Sequence, residues 1–141
     1  MKPAEHHPPH LVITHDGGRL FVQTLLPALA EVRLVTGAEL YSYGGRSYPP
    51  KEERGPAPEC RVEVSPAEPS AEDCFLHVLT AASAKTASAP IAVAAREAGR
   101  VVASVGKAKL VFATANVGGS VELDGRRRDL ASRPPLRPPE P

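Results

Sequence analysis

The sequence predicts an all-β protein, an antiparallel β-sandwich of about 8 to 10 short strands, and three features carry that expectation. The prolines cluster at 3–9, 49–58, 66–69 and 134–141, outside the interiors of the apolar runs, where a missing N–H removes no ladder hydrogen bond. The runs between them are strand-length and rich in Val, Leu, Ile and Thr. Turn signals recur roughly every ten residues, the spacing of hairpin-connected strands. No long stretch has a convincing helical period.

Taken in order, "HLVIT" (10–14) and "RLFVQTLLP" (19–27) flank "HDGGR" (15–19), an Asp-Gly hairpin signal. Successive strand side chains point to opposite faces, so Leu20, Val22, Thr24 and Leu26 read as the buried set, opposed by Arg19, Phe21, Gln23 and Leu25. In "EVRLVTG" (31–37), Val32 and Leu34 oppose Glu31 and Arg33. "ELYSY" (39–43) runs into "YGGR" (43–46), a Gly-Gly turn. In "CRVEVS" (60–65), Cys60, Val62 and Val64 read as inward, against Arg61, Glu63 and Ser65.

"EDCFLHVLT" (72–80) places Cys74, Leu76, Val78 and Thr80 on a core face, and Asp73, Phe75, His77 and Leu79 on the other. Two of the second set are large hydrophobes, so this strand is expected to be partly covered on both sides, with His77 a half-buried polar residue on the second. "AASAKTASA" (81–89) reads as a long hairpin loop. "IAVAA" (91–95), "RVVASV" (100–105), "KLVFAT" (109–114) and "SVELD" (120–124) complete the strands, and "LDGR" (123–126) repeats the Asp-Gly turn. The expected organisation is a disordered segment over 1–9, a sandwich over 10–125 and a disordered Arg/Pro-rich tail over 126–141.

Composition limits the function classes. A chain of 141 residues has room for about one domain, and with 42% hydrophobic but only 4% aromatic residues its core must be built mainly from Val, Leu and Ala. A net charge of +1 supplies no field for nucleic acid or an anionic membrane. The N-terminus has no apolar h-region and no stretch approaches a membrane span of about 20 apolar residues, so no signal peptide, span or location is read from the chain. Cys60 and Cys74 allow one disulfide at most and read as two buried thiols.

Chemistry is sparse. The cluster "HHPPH" (6–10) is spaced by proline, which makes a poor preformed site, so it is not assigned as a metal site. Cys74 and His77 are three apart on one strand and point to opposite faces, which argues against a Cys-His pair. No glycine-rich loop leads from a strand into a helix, so no phosphate cradle is expected. No catalytic residue, metal or cofactor is assigned. The one binding feature is "YSYGGRSYPP" (41–50), where Tyr41, Tyr43 and Tyr48 offer stacking surfaces and Arg46 a guanidinium matched to a carboxylate.

Three separated blocks carry a family resemblance. "ITHDGGRLFVQTLLP" (13–27), "GAELYSYGGRSYPP" (37–50) and "CRVEVSPAEPSAEDCFLHVLTA" (60–81) together resemble the C-terminal β-sandwich region of heparinase II/III-like polysaccharide lyases. The last block is the most specific: Arg61 on a strand ending at Ser65-Pro66, an acidic link through Asp73, then the strand "FLHVL". The resemblance covers about residues 10–125.

It implies a protein in which an α/α-toroid precedes β-sheet domains, usually periplasmic or secreted. Such enzymes act by β-elimination: a base removes the proton α to a uronate carboxyl and the 4-linked sugar leaves. The family's histidine motifs, of the His-x-His-x-Asp and His-Asn-Thr kinds, have no counterpart here, and the matched blocks lie downstream of them. The expectation is therefore a non-catalytic module, a fragment or truncated reading frame, whose partner is a lyase catalytic domain or an acidic polysaccharide. A free-standing module binding acidic glycans is the alternative.

Overall fold

The computed structural model describes residues 10–52, 55–56 and 58–130. Its strands are β1 (His10–His15), β2 (Gly18–Leu26), β3 (Ala30–Val35), β4 (Ser42–Tyr43), β5 (Arg46–Ser47), β6 (Arg61–Pro66) and β7 (Leu76–Ser83). They continue as β8 (Ala92–Glu97), β9 (Arg100–Val105), β10 (Ala108–Ala113), β11 (Gly119–Leu123) and β12 (Arg126–Leu130), with one 3-10 turn at Gly37–Glu39. The chain is all-β and sandwich-like, as its alternation and turn chemistry predict. The strand pairings among the described residues are all antiparallel.

Two sheets form the main layers. One has the order β1-β2-β7 and the other is a five-stranded meander, β12-β11-β10-β9-β8, while β3-β6 and β4-β5 are two-stranded ribbons. Two-residue turns make three of the meander's connections, at 98–99, 106–107 and 124–125, because a two-residue hairpin with positive φ matches the twist of its flanking strands. At the last of these turns Asp124 and Gly125 have φ of 48° and 73°, the left-handed pair that an Asp-Gly dipeptide supplies.

That turn corrects the expected tail boundary. Residues 126–130 are not tail: they form β12, with Leu123 opposite Arg126 and Ser120 opposite Asp129. The Asp-Gly turn reverses the chain, and the arginine run then pairs along β11. Basic side chains also suit the sheet's outermost strand, because they oppose further edge-to-edge pairing. The expected disordered segment at 1–9, with His6 and His7, and the remainder of the expected tail at 131–141 lie outside the described residues.

The core departs from simple alternation on β2. Phe21, of the set expected to face outward, is only 5% exposed, whereas Leu20 and Val22 of the opposite set are half-buried. Long-range contacts decide this. Arg19 Nη1 donates to Thr86 O at 2.6 Å and Gln23 Nε2 donates to Pro90 O at 3.0 Å, so both polar heads fasten the connection between β7 and β8 over the Phe21 side of the strand. The Arg19 guanidinium also lies 6.0 Å from the Phe21 ring centroid. The Phe21 ring, Val12, Ile91 and Ala92 then share one apolar seam.

Further along β2 the register shifts between Thr24 and Leu26, and Thr24, Leu25 and Leu26 are all buried. A bulge places an extra residue in one strand and breaks the two-residue period, so consecutive side chains can both find cover. On β3, Leu34 is exposed and its neighbour Val35 is buried, again against the expected pattern. The two thiols are not the buried pair expected: Cys60 is exposed and Cys74 half-buried, and neither is bonded. Each precedes its strand, since β6 starts at Arg61 and β7 at Leu76, so strand alternation does not fix where they point. The stretch 81–89 is divided, with β7 continuing to Ser83 before the loop begins.

Among the described residues, no helix is long and apolar enough to cross a membrane.

Candidate functional site

The site is built on the shortest ribbon. Gly44 and Gly45 form the two-residue loop between β4 and β5, with φ of 58° and 74°, the positive pair of a type I′ turn. A side chain at either position would be strained, which is why a Gly-Gly dipeptide serves here. Tyr43 pairs with Arg46 across the turn, and two steps on the Tyr48 N–H donates to Tyr41 O at 2.8 Å.

Cross-strand partners share a face, and so do residues two apart on one strand. Tyr43 and Arg46, as cross-strand partners, therefore share a face, and the backbone bond between Tyr48 and Tyr41 sets the other two tyrosines beside them, so all 3 tyrosines of the chain lie on this hairpin. Tyr43 and Tyr48 are 78% and 58% exposed, and Tyr41, at the base, is half-buried. The result is a ledge with two accessible aromatic rings and a guanidinium.

Charge pairing separates Arg46 from its neighbours. Arg33 Nη2 lies 2.8 Å from Glu39 Oε2 and its Nη1 lies 3.5 Å from Glu63 Oε2. Arg61 is paired with Glu63 at 2.6 Å. No ion pair or side-chain hydrogen bond engages Arg46 among the described residues, so its planar fork is available to an incoming carboxylate. Beside the hairpin, Ser42, Tyr43, Gly44 and Gly45 line a shallow cavity with Arg33, Glu39, Arg61 and Glu63.

His77 belongs elsewhere. It sits opposite Thr24 across β2-β7, with Thr24 Oγ1 3.1 Å from His77 Nδ1, and its ring stacks on Phe75 at 6.3 Å between centroids. Phe75 and Leu79, on the same side of β7, are exposed, so the cover expected over that face is not supplied by the described residues. Among the described residues no three His, Cys, Asp or Glu side chains gather at a metal-binding distance.

Sequence patterning missed Arg61. Alternation assigns it to an outward set, but the guanidinium turns onto residues 39–42, the segment that leads into and opens β4. Nothing local signals this, since the acceptors are backbone carbonyls about twenty residues earlier. Comparisons with protein-family models, curated proteins and solved structures return no match.

Proposed function

We propose that this chain is a non-catalytic β-sandwich module, of the kind that accompanies the catalytic toroid in heparinase II/III-like polysaccharide lyases, and that its hairpin ledge holds acidic polysaccharide. The observation that carries the binding role is the gathering of Tyr41, Tyr43, Tyr48 and Arg46 on one type I′ hairpin. Aromatic faces pack against the C–H surface of a sugar ring, and a guanidinium fork matches a uronate carboxylate in a bidentate geometry. The lyase parentage rests on the sequence blocks at 13–27, 37–50 and 60–81. The open side of β7 at Phe75 and Leu79 favours the accompanying structural role, packing beside another folded unit.

The test is titration with hyaluronan, alginate or heparin oligosaccharides, read by tyrosine fluorescence. With no Trp and with every tyrosine on the hairpin, that signal reports the ledge alone. Saturable binding is expected for the parent protein. Arg46→Ala should weaken it by roughly 10- to 100-fold, the loss of a charge-assisted contact of about 1.5–3 kcal/mol. Tyr43→Ala should weaken it by about 3- to 10-fold, as the loss of an aromatic contact of about 0.5–1.5 kcal/mol implies. No saturable response at millimolar oligosaccharide overturns the binding role. Release of unsaturated product, seen as ultraviolet absorbance, would overturn the non-catalytic reading.

A further inference from the structure

A guanidinium has five N–H donors in one plane, and Arg61 uses all of them. Nε and Nη2 donate to Glu63 Oε1 at 3.1 and 2.6 Å, and the second Nη2 hydrogen meets Ser42 O at 2.9 Å. Nη1 reaches Leu40 O and, at 3.4 Å, Glu39 O. The side chain is only 33% exposed. The three carbonyl acceptors therefore lie on the segment that leads into β4, while the counter-charge lies on the same strand as Arg61.

This arrangement has a direction. Glu63, two residues along β6, holds the fork on its own side of the strand, and the fork then holds the segment 39–42. Leu40 is buried, Ser42 opens β4, and Tyr41 lies between these two clasped residues. A two-residue-strand hairpin has little stability of its own, since isolated two-stranded hairpins are marginal in water. Something else must fix where its ledge points. We infer that Arg61 is the positioning residue of the tyrosine ledge: clamped by Glu63, it locks the base of the β4-β5 hairpin through three backbone carbonyls and so sets the orientation of Tyr41, Tyr43 and Arg46 toward an acidic saccharide. The saccharide rests on the proposed binding role; the clamp does not.

The geometry excludes a simple substitute. A lysine carries the same charge but only three donors about a single nitrogen, and it cannot reach Glu63 and two or three carbonyls together. Arg61→Lys should therefore preserve the sheets and release the hairpin.

The experiment uses the full chain and two readouts. Far-ultraviolet circular dichroism and the thermal transition follow the sheets, while near-ultraviolet tyrosine ellipticity and acrylamide quenching follow the hairpin. In Arg61→Lys the sheet signal and a single cooperative transition are expected to remain. Tyrosine ellipticity should fall by about half and quenching rise about twofold, as expected when a hairpin of marginal intrinsic stability is released. Glu63→Gln, which keeps the shape and removes the counter-charge, should give a smaller change of the same sign. Oligosaccharide affinity, if the parent protein binds, should fall about tenfold in Arg61→Lys, equivalent to about 1.4 kcal/mol.

An unchanged tyrosine signal in folded Arg61→Lys overturns the inference. So does global unfolding of both variants, which would make the pair a support of the whole fold and not of the ledge. If the parent protein binds no acidic oligosaccharide, the binding role fails while the optical test of the clamp still stands.

Discussion

Gly119→Ala is expected to be the most destabilising single substitution in the chain, at about 2–6 kcal/mol. Gly119 sits at the start of β11 opposite Phe112 with φ of 150°, a backbone conformation that L side chains rarely adopt. A Cβ there would overlap Val111 O and lie 3.0 Å from Val111 C. Both atoms belong to the backbone of β10, a central strand of the five-stranded sheet, so relief requires the β10-β11 ladder to separate. Strain at such a φ costs about 1–3 kcal/mol and overpacking about as much again, a large share of the roughly 5–15 kcal/mol by which a domain is stable. Urea denaturation measures it through the midpoint. Gly17→Ala is the matched control, because its Cβ would meet nothing within 4 Å. Equal midpoints for the two variants would contradict the close approach at Gly119.

Phe21→Ala should be the second most damaging change, at about 3–5 kcal/mol for truncating a buried aromatic. The ring is buried on the side of β2 that meets the β7-β8 connection and Ala92, and Arg19 lies beside it. Leu79→Ala removes a side chain that is 62% exposed and should cost within about 0.5 kcal/mol. The informative comparison is Leu20→Ala, which truncates a half-buried residue of the opposite face. Denaturant unfolding should rank Phe21→Ala above Leu20→Ala. The reverse order would restore the face that two-residue alternation assigns, and Arg19 and Gln23 would then not be what turns Phe21 inward.

The contrast between those positions shows why some of the fold is legible in sequence. Strand periods, glycine turns and proline placement are local: each follows from the allowed φ/ψ of one or two residues, and they yield the hairpins at 15–19, 43–46 and 123–126. The ledge is legible for the same reason, because a two-residue turn of known type forces the residues on either side into cross-strand pairs. Tyr43 and Arg46 become partners on that ground alone, without any tertiary contact, and Tyr41 and Tyr48 follow at the next steps of the chain.

What local rules cannot supply is the identity of the buried face when both faces of a strand carry apolar residues. Arg19 and Gln23 look like surface residues until carbonyls more than sixty positions away become their acceptors. Arg61 is the same case at a shorter range, and the bulge after Thr24 shifts every later side chain relative to a strict period. By itself the sequence determined the all-β class and the turn positions, including the glycine turn that carries the tyrosines, since these depend on neighbouring backbone dihedrals. Only the tertiary structure decided that Phe21 lies inside and that Arg61 clamps the hairpin, because each depends on which distant backbone groups are brought within hydrogen-bonding or packing distance.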